Sequence, residues 1–378
     1  MTLYTAIGLM SGTSCDGIDV ARITTDGQNI VRRMDSAFYP YDDATRKVIK
    51  DSFGIADRTD PRVVKAEKVV TDAHIEALLK FGHKANIVGF HGQTTFHDPA
   101  NGVTIQLGDG KALAEACGMD VVYDLRSADV AAGGQGAPLL PLYHRVLVKS
   151  AKVALPCAIV NIGGVSNITY IGKNENEVIA FDTGPGNALL DDWVLQHTGQ
   201  PYDKDGKLSA AGTPNTDIII QVLNHAYFKK AAPKSLDRNA FPVGVVNGLS
   251  VEDGAATLAT LTVETIVKSF AHLPAKPQSL YITGGGRKNN YIMRSLSKRA
   301  GAVVVPVEEM DWDGDSIEAE GFAYLAVRSR LKLPISLPKT TGVPKPLTGG
   351  VLARFAPVPE PDEKDPQWEA LIKPQKPV

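Results

Sequence analysis

The chain has 378 residues, 43% of them hydrophobic and 22% charged. That length suits about two domains at roughly 150 residues each, and the composition excludes a disordered or fibrous chain. Lys plus Arg total 40 and Asp plus Glu 42, a net charge of -2, so no broad field draws in nucleic acid or an anionic membrane.

No stretch reaches the roughly 18–20 apolar residues of a membrane span. The N-terminus has no Lys or Arg before Arg22 and is broken by Gly8, Ser11 and Gly12, so it does not read as a secretion signal. Cys15, Cys117 and Cys157 are far apart and lack C-x-x-C spacing. An odd, sparse count fits buried, reduced thiols in a cytoplasmic protein.

The chain starts as strand, turn, strand. Residues 3–9 are mostly apolar or β-forming, and Met10-Ser11-Gly12-Thr13-Ser14-Cys15-Asp16-Gly17 follows. Ile18, Val20 and Ile23 then alternate with Asp19 and Arg22 at close to a period of two. A Walker-type loop needs a Gly-Lys pair feeding a helix, and a Rossmann turn also feeds a helix, so both are excluded. The glycines and hydroxyls suit an anion, and Asp16 or Asp19 could hold magnesium. An ordinary hairpin with a turn-stabilising Asp is the rival reading.

A helix is predicted over 61–81, with Pro61 in its first turn. Ile87-Val88 then leads into Gly89-Phe90-His91-Gly92-Gln93-Thr94-Thr95-Phe96-His97-Asp98, read as a strand end. His91, Gln93 and Thr94 offer donors and acceptors for a polyol or amide. Two histidines without a third ligand make a poor metal site. Val121-Val122-Tyr123 is another strand, delivering Asp124 and Arg126. Arg126 could grip a carboxylate in a fork, or pair with a neighbouring Asp. Gly133-Gly134-Gln135-Gly136-Ala137-Pro138 suits a hinge or domain boundary.

A second hairpin follows: 158–162, then Gly163-Gly164-Val165-Ser166-Asn167, then 168–171. Two such hairpins about 150 residues apart suggest two related α/β domains. Next, the apolar run 178–181 delivers Asp182 to a strand end, before Thr183-Gly184-Pro185-Gly186-Asn187 and a helix over 188–197. A carboxylate there can serve as a general base, or can cap the turn. Further helices are predicted over 250–273, 287–299 and 317–333, with a strand over 279–283. Gly284-Gly285-Gly286 between strand and helix suits a nucleoside against bare backbone, or a tight turn. Asp315-x-x-Glu318 resembles a capping box. The tail 356–378 holds Pro357, Pro359, Pro361, Pro366, Pro374 and Pro377 among charges and is expected to be extended, with Trp368 and Leu371 as anchors.

Taken together, residues 8–19, His91-Gly92-Gln93-Thr94, 124–138, Asn161-Ile162-Gly163-Gly164, 181–187 and 284–286 resemble the anhydro-N-acetylmuramic acid kinase family, in family order and across the chain to about residue 350. Cys15 stands where that pattern suggests an aliphatic residue, and the tail is unusual. The resemblance implies an α/β fold of two related actin-like ATPase (ribonuclease H-like) domains flanking a central nucleotide cleft. The expected division is 1–133, 134–355 and the tail 356–378.

The same resemblance implies opening of the 1,6-anhydro ring of 1,6-anhydro-N-acetylmuramic acid by water and phosphorylation of its 6-oxygen from ATP, with Mg2+. Asp182 is the implied catalytic base. Gly12, Thr13, Ser14, Cys15, Asp16, Gly17, Ile18 and Asp19 would bind ATP phosphates, with Asp16 and Asp19 toward magnesium. Asn161, Gly163, Gly164, Gly184, Gly186, Gly284, Gly285 and Gly286 complete the nucleotide side. His91, Gln93, Thr94, Asp124, Arg126 and Glu318 lie toward the sugar, although Glu318 could instead cap its helix. A cytoplasmic homodimer binding neither nucleic acid nor membrane is expected. Rival readings are another sugar kinase of this fold and a nucleotide-gated chaperone or filament ATPase.

Overall fold

The computed structural model describes residues 2–174, 177–238 and 240–355. The tail expectation at 356–378 lies outside the described residues. The strands are β1 (Tyr4–Ser11), β2 (Gly17–Thr25), β3 (Val31–Pro40), β4 (Ile87–Asp98), β5 (Val103–Leu107), β6 (Val121–Tyr123), β7 (Cys157–Ile162), β8 (Val165–Ile171), β9 (Val178–Pro185), β10 (Ser279–Thr283), β11 (Val303–Pro306) and β12 (Val351–Ala353).

They form two sheets with one repeated plan. The first runs β3-β2-β1-β4-β6-β12, with β5 against β4. The second runs β9-β8-β7-β10-β11. In each, the three strands of a meander pair antiparallel, and the meander's first strand pairs parallel with a fourth, which pairs parallel with a fifth. The crossovers carry long helices, Pro61–Phe81 in the first half and Val251–Ser269 in the second. The expectation of two related α/β halves is met strand by strand.

Local chemistry explains the helices that were legible. Pro61–Phe81 begins after Asp60, whose carboxylate accepts from the Arg62 N–H, and ends at Gly82 in the left-handed region. Its inner face buries Val63, Ala66, Val70, Ala77, Leu78 and Phe81. Val251–Ser269 begins after Ser250, whose hydroxyl accepts from the Asp253 N–H. Apolar clusters cover the outer face of each sheet. A third lies between them, built on the helices Pro141–Ser150 and Ile317–Arg330, and joins Ala6 and Ile87 of one sheet to Ile159 and Tyr281 of the other.

Three expectations need correction. Residues 87–98 form one long strand, not a strand end. β4 pairs with β1 and β6, then turns onto β5 through a bulge between Thr94 and Phe96. The last helix stops at Arg330, three residues short of the expected 333. Arg328 there donates from Nε to the Pro334 carbonyl, and Lys332 adopts a positive φ, so the chain turns away. Finally, a division at residues 133 and 134 does not separate the sheets. Helix Ile317–Arg330 packs on β1, β2 and β4, and β12 pairs with β6. Gly8 and Gly89 permit that contact, since a Cβ there would sit 1.8 Å from the Ala319 carbonyl oxygen and 2.1 Å from that of Phe322.

Candidate active site

The turn between β1 and β2 projects Gly12, Thr13 and Ser14 outward, with Thr13, Ser14 and Asp16 exposed. Cys15 is buried with φ 56°, and burial raises its thiol to about 11, so it packs and is not reactive. Ile18 is also core. The Ser11 hydroxyl donates to Gln93 Oε1 at 2.7 Å, and Gln93 Nε2 donates to the Gly12 carbonyl at 3.0 Å. Gln93 is therefore fully buried behind the turn.

His91 also lies beneath the site surface. Arg126 donates to His91 Nε2 from both Nε (3.1 Å) and Nη2 (2.9 Å), and its Nη1 donates to the Gly136 carbonyl at 2.7 Å. His91 Nδ1 then carries the hydrogen shared with the Gly92 carbonyl at 2.7 Å. Burial, and then the Arg126 charge, hold this imidazole neutral, well below its ordinary pKa. Phe322 lies against the His91 ring at 4.5 Å. Burial lowers Arg126 to about 10, opposed by the charges of Glu318, Asp129 and Asp182. Those three carboxylates thus share its electrostatic neighbourhood. Thr94 accepts from Gln106 at 3.2 Å and Asp124 from Ser127 at 2.5 Å.

Asp182 sits on β9 where the pairing with β8 slips between Ser166 and Asn167, a bulge that re-aims its carboxyl. A strap over 227–238 holds it. Asp182 N–H donates to the Lys234 carbonyl at 3.0 Å, the Asp182 carbonyl accepts from the Tyr227 hydroxyl at 2.5 Å, and Asp182 Oδ2 accepts from the Leu236 N–H at 2.8 Å. Burial raises the carboxyl from 3.8 to about 7, although Leu236 and Arg126 both pull it down. Lys234 is itself buried, against the Tyr227 ring at 4.7 Å, and burial lowers it to about 8. The strap reaches the other half through Ser235, which donates to Gln135 Oε1 at 2.8 Å.

Glu318 lies in the first turn of helix Ile317–Arg330 but does not cap it. It accepts from Asn161 Nδ2 at 3.2 Å, while Asp315 pairs with Arg287 and Lys288. The capping-box reading fails because both of its carboxylates have other partners. Burial raises Glu318, and Arg126 opposes that rise.

Asp19, on β2, is raised to about 7 by burial and by the charges of Glu318, Asp315, Asp313 and Asp16. A divalent cation would relieve that crowding, so the donor set fits magnesium. Among the described residues no three His, Cys, Asp or Glu side chains could hold a metal alone. The fit is to an ion completed by phosphate oxygens and water.

The glycines divide into two groups. A Cβ on Gly12, Gly163 or Gly164 would meet nothing closer than 3.6 Å, and on Gly285 nothing closer than 3.4 Å, so backbone is open to a ligand there. At Gly17, Gly184, Gly186, Gly284 and Gly286 a Cβ would collide with protein, at 2.3, 2.7, 2.2, 2.2 and 2.3 Å. At these five, close packing alone requires glycine, whatever their backbone faces.

Two contributors escaped sequence reading. The Leu236 N–H has no side-chain signature. Asp191, in the first turn of helix Ala188–Thr198, is raised to about 7 by burial and by Asp192, and it also feels the charge of Asp16. Its carboxylate was indistinguishable from any acidic helix start.

A family model for anhydro-N-acetylmuramic acid kinase matches residues 4–354. A protein of that name from Rhizorhabdus wittichii is 47% identical over 366 residues, covering 94% of this chain and all of its own. Those from Rhodospirillum rubrum and Zymomonas mobilis are 46% and 45% identical, covering 91% of this chain each and 93% and 98% of their own.

Proposed function

The chain belongs to the anhydro-N-acetylmuramic acid kinase family, and we propose from that premise how its residues divide the work. It is an ATP-dependent kinase that opens the 1,6-anhydro ring of 1,6-anhydro-N-acetylmuramic acid and yields the 6-phosphate and ADP. The observation that carries the assignment of roles is the Asp182 carboxyl, buried, pinned on one oxygen and poised near 7.

Asp182 takes a proton from water as the water oxygen bonds to the anomeric carbon. The bond from that carbon to the 6-oxygen breaks, and the freed 6-oxygen attacks the γ-phosphorus, releasing ADP. The departing oxygen therefore needs no carboxylic acid to protonate it, and one carboxylate serves where glycoside hydrolysis ordinarily uses two. Arg126 has its side-on N–H pair committed to His91 and one Nη1 hydrogen to Gly136. The end-on pair is left to fork onto the sugar's lactyl carboxylate. Glu318 orients the sugar or the water. The open backbone at Gly12, Gly163, Gly164 and Gly285 takes the nucleotide. Asp19 and Asp16 would hold magnesium, which when bound neutralises charge on the phosphates. A homodimer in the cytoplasm belongs to the same reading, and the three buried free thiols agree with a reducing compartment.

Product analysis in 18O-labelled water tests the scheme. Label is expected on the anomeric hydroxyl and phosphate on the 6-oxygen. Label on the phosphate, or phosphorylation with the ring still closed, would overturn it.

A further inference from the structure

Gln93 was expected to face the sugar, but it is fully buried and has both ends of its amide engaged on the turn between β1 and β2. Its Oε1 accepts from the Ser11 hydroxyl at 2.7 Å, and that hydroxyl also accepts from Tyr41 at 3.1 Å. Its Nε2 donates to the Gly12 carbonyl at 3.0 Å and, at 3.3 Å, to the Thr94 carbonyl. The Gly12 carbonyl also accepts from the Cys15 N–H at 3.1 Å. Two donors therefore draw this one carbonyl toward the protein interior.

A trans peptide points its C=O and N–H in opposite directions. With the Gly12 oxygen held inward, the N–H of Thr13, the other end of the same peptide, is turned out toward solvent. Thr13 is exposed and Gly12 partly so. Gly12, lacking a side chain, could otherwise let this peptide rotate and present a carbonyl oxygen, which would repel a phosphate. We infer that Gln93 is a positioning residue for the nucleotide, locking the Gly12–Thr13 peptide with its N–H outward as a phosphate donor. The inference rests on the reading of this turn as an ATP phosphate site. β4 thus serves both substrates from behind: His91 steadies Arg126 for the sugar, and Gln93, two residues on, sets the phosphate turn.

The test measures KM for ATP and for the anhydro sugar separately. Gln93→Met keeps the shape but removes both hydrogen bonds. Gln93→Leu removes them as well, with a different apolar shape. Each is expected to raise the ATP KM by about tenfold, the worth of one well-placed hydrogen bond, with the sugar KM within about twofold of the parent. A raised sugar KM with unchanged ATP KM, or equal rises in both, overturns the inference. The unmodified chain gives a readout independent of variant folding. ADP alone should shift the Thr13 amide resonance, and the sugar alone should leave the Gln93 side-chain amide unmoved; the opposite result overturns the inference. An unmodified chain that binds no ADP would instead refute the phosphate-site reading itself.

Discussion

Leu236 donates its backbone N–H to one carboxylate oxygen of Asp182 at 2.8 Å, and no described protein group holds the other oxygen. The bonded oxygen fixes the direction of the carboxyl, and in the proposed scheme its fellow is the one that meets water. Burial alone would keep this acid neutral, and the Leu236 bond and the Arg126 charge bring it back within reach of neutral pH.

Asp182→Asn is expected to lower kcat by about 10²–10⁴-fold while leaving both KM values near those of the parent. In the parent, kcat should fall as pH drops through about 7, because a protonated Asp182 cannot accept a proton. Near-normal turnover in the variant would remove Asp182 from the role of base.

The same substitution should stabilise the chain in alkali. Asp182 has a folded-state pKa above its ordinary 3.8. The stability it contributes is fully present below about pH 4 and is lost as pH rises through about 7. An amide carries no such dependence. The Tm difference between Asp182→Asn and parent should therefore be large at pH 8 and small at pH 4, read by thermal melts across pH. A constant difference would show that folding does not raise the pKa of Asp182.

Arg126→Lys should raise the sugar KM by about tenfold or more, with the ATP KM unchanged. Lysine cannot offer a planar fork to the sugar while also donating to His91 and Gly136. Titration calorimetry with the sugar alone checks the binding step directly, and unchanged affinity would sink the lactyl contact.

The two glycine groups should separate in a pair of substitutions. Gly12→Ala is expected to weaken ATP binding while the Tm stays put, since the methyl meets nothing closer than 3.7 Å in the protein. Gly184→Ala should cost about 1–3 kcal/mol of stability, because its methyl would lie 2.7 Å from Thr265. Thermal melts beside ATP titrations decide it, and an equal loss of stability in both variants would erase the distinction.

The hairpins at Gly12 and Gly163, the strand leading to Asp182 and the helix Pro61–Phe81 were all legible, because each is written locally in turn chemistry or apolar period. The outer edge of the first sheet was not. β3 is an edge strand of ten residues that buries none of them, so nothing in its pattern separates it from a loop. Side-chain destinations were harder still. His91, Gln93 and Glu318 were found as polar residues in suggestive places, but only tertiary packing shows that His91 meets Arg126, that Gln93 meets the Gly12 carbonyl and that Glu318 crosses to Asn161. A glycine reads the same whether ligand or Thr265 fills the space beside it.

The inner face of the first sheet is covered by the helix Ile317–Arg330, and its edge is completed by β12. During synthesis, β1, β2 and β4 exist for more than two hundred residues with that face bare, since their cover has not yet been made. The same helix also closes over Ile159 and Tyr281 of the second sheet, so the inner faces of both wait for it. A ribosome stalled before residue 317 would therefore carry a chain with apolar sheet faces still uncovered, a target for chaperones or aggregation.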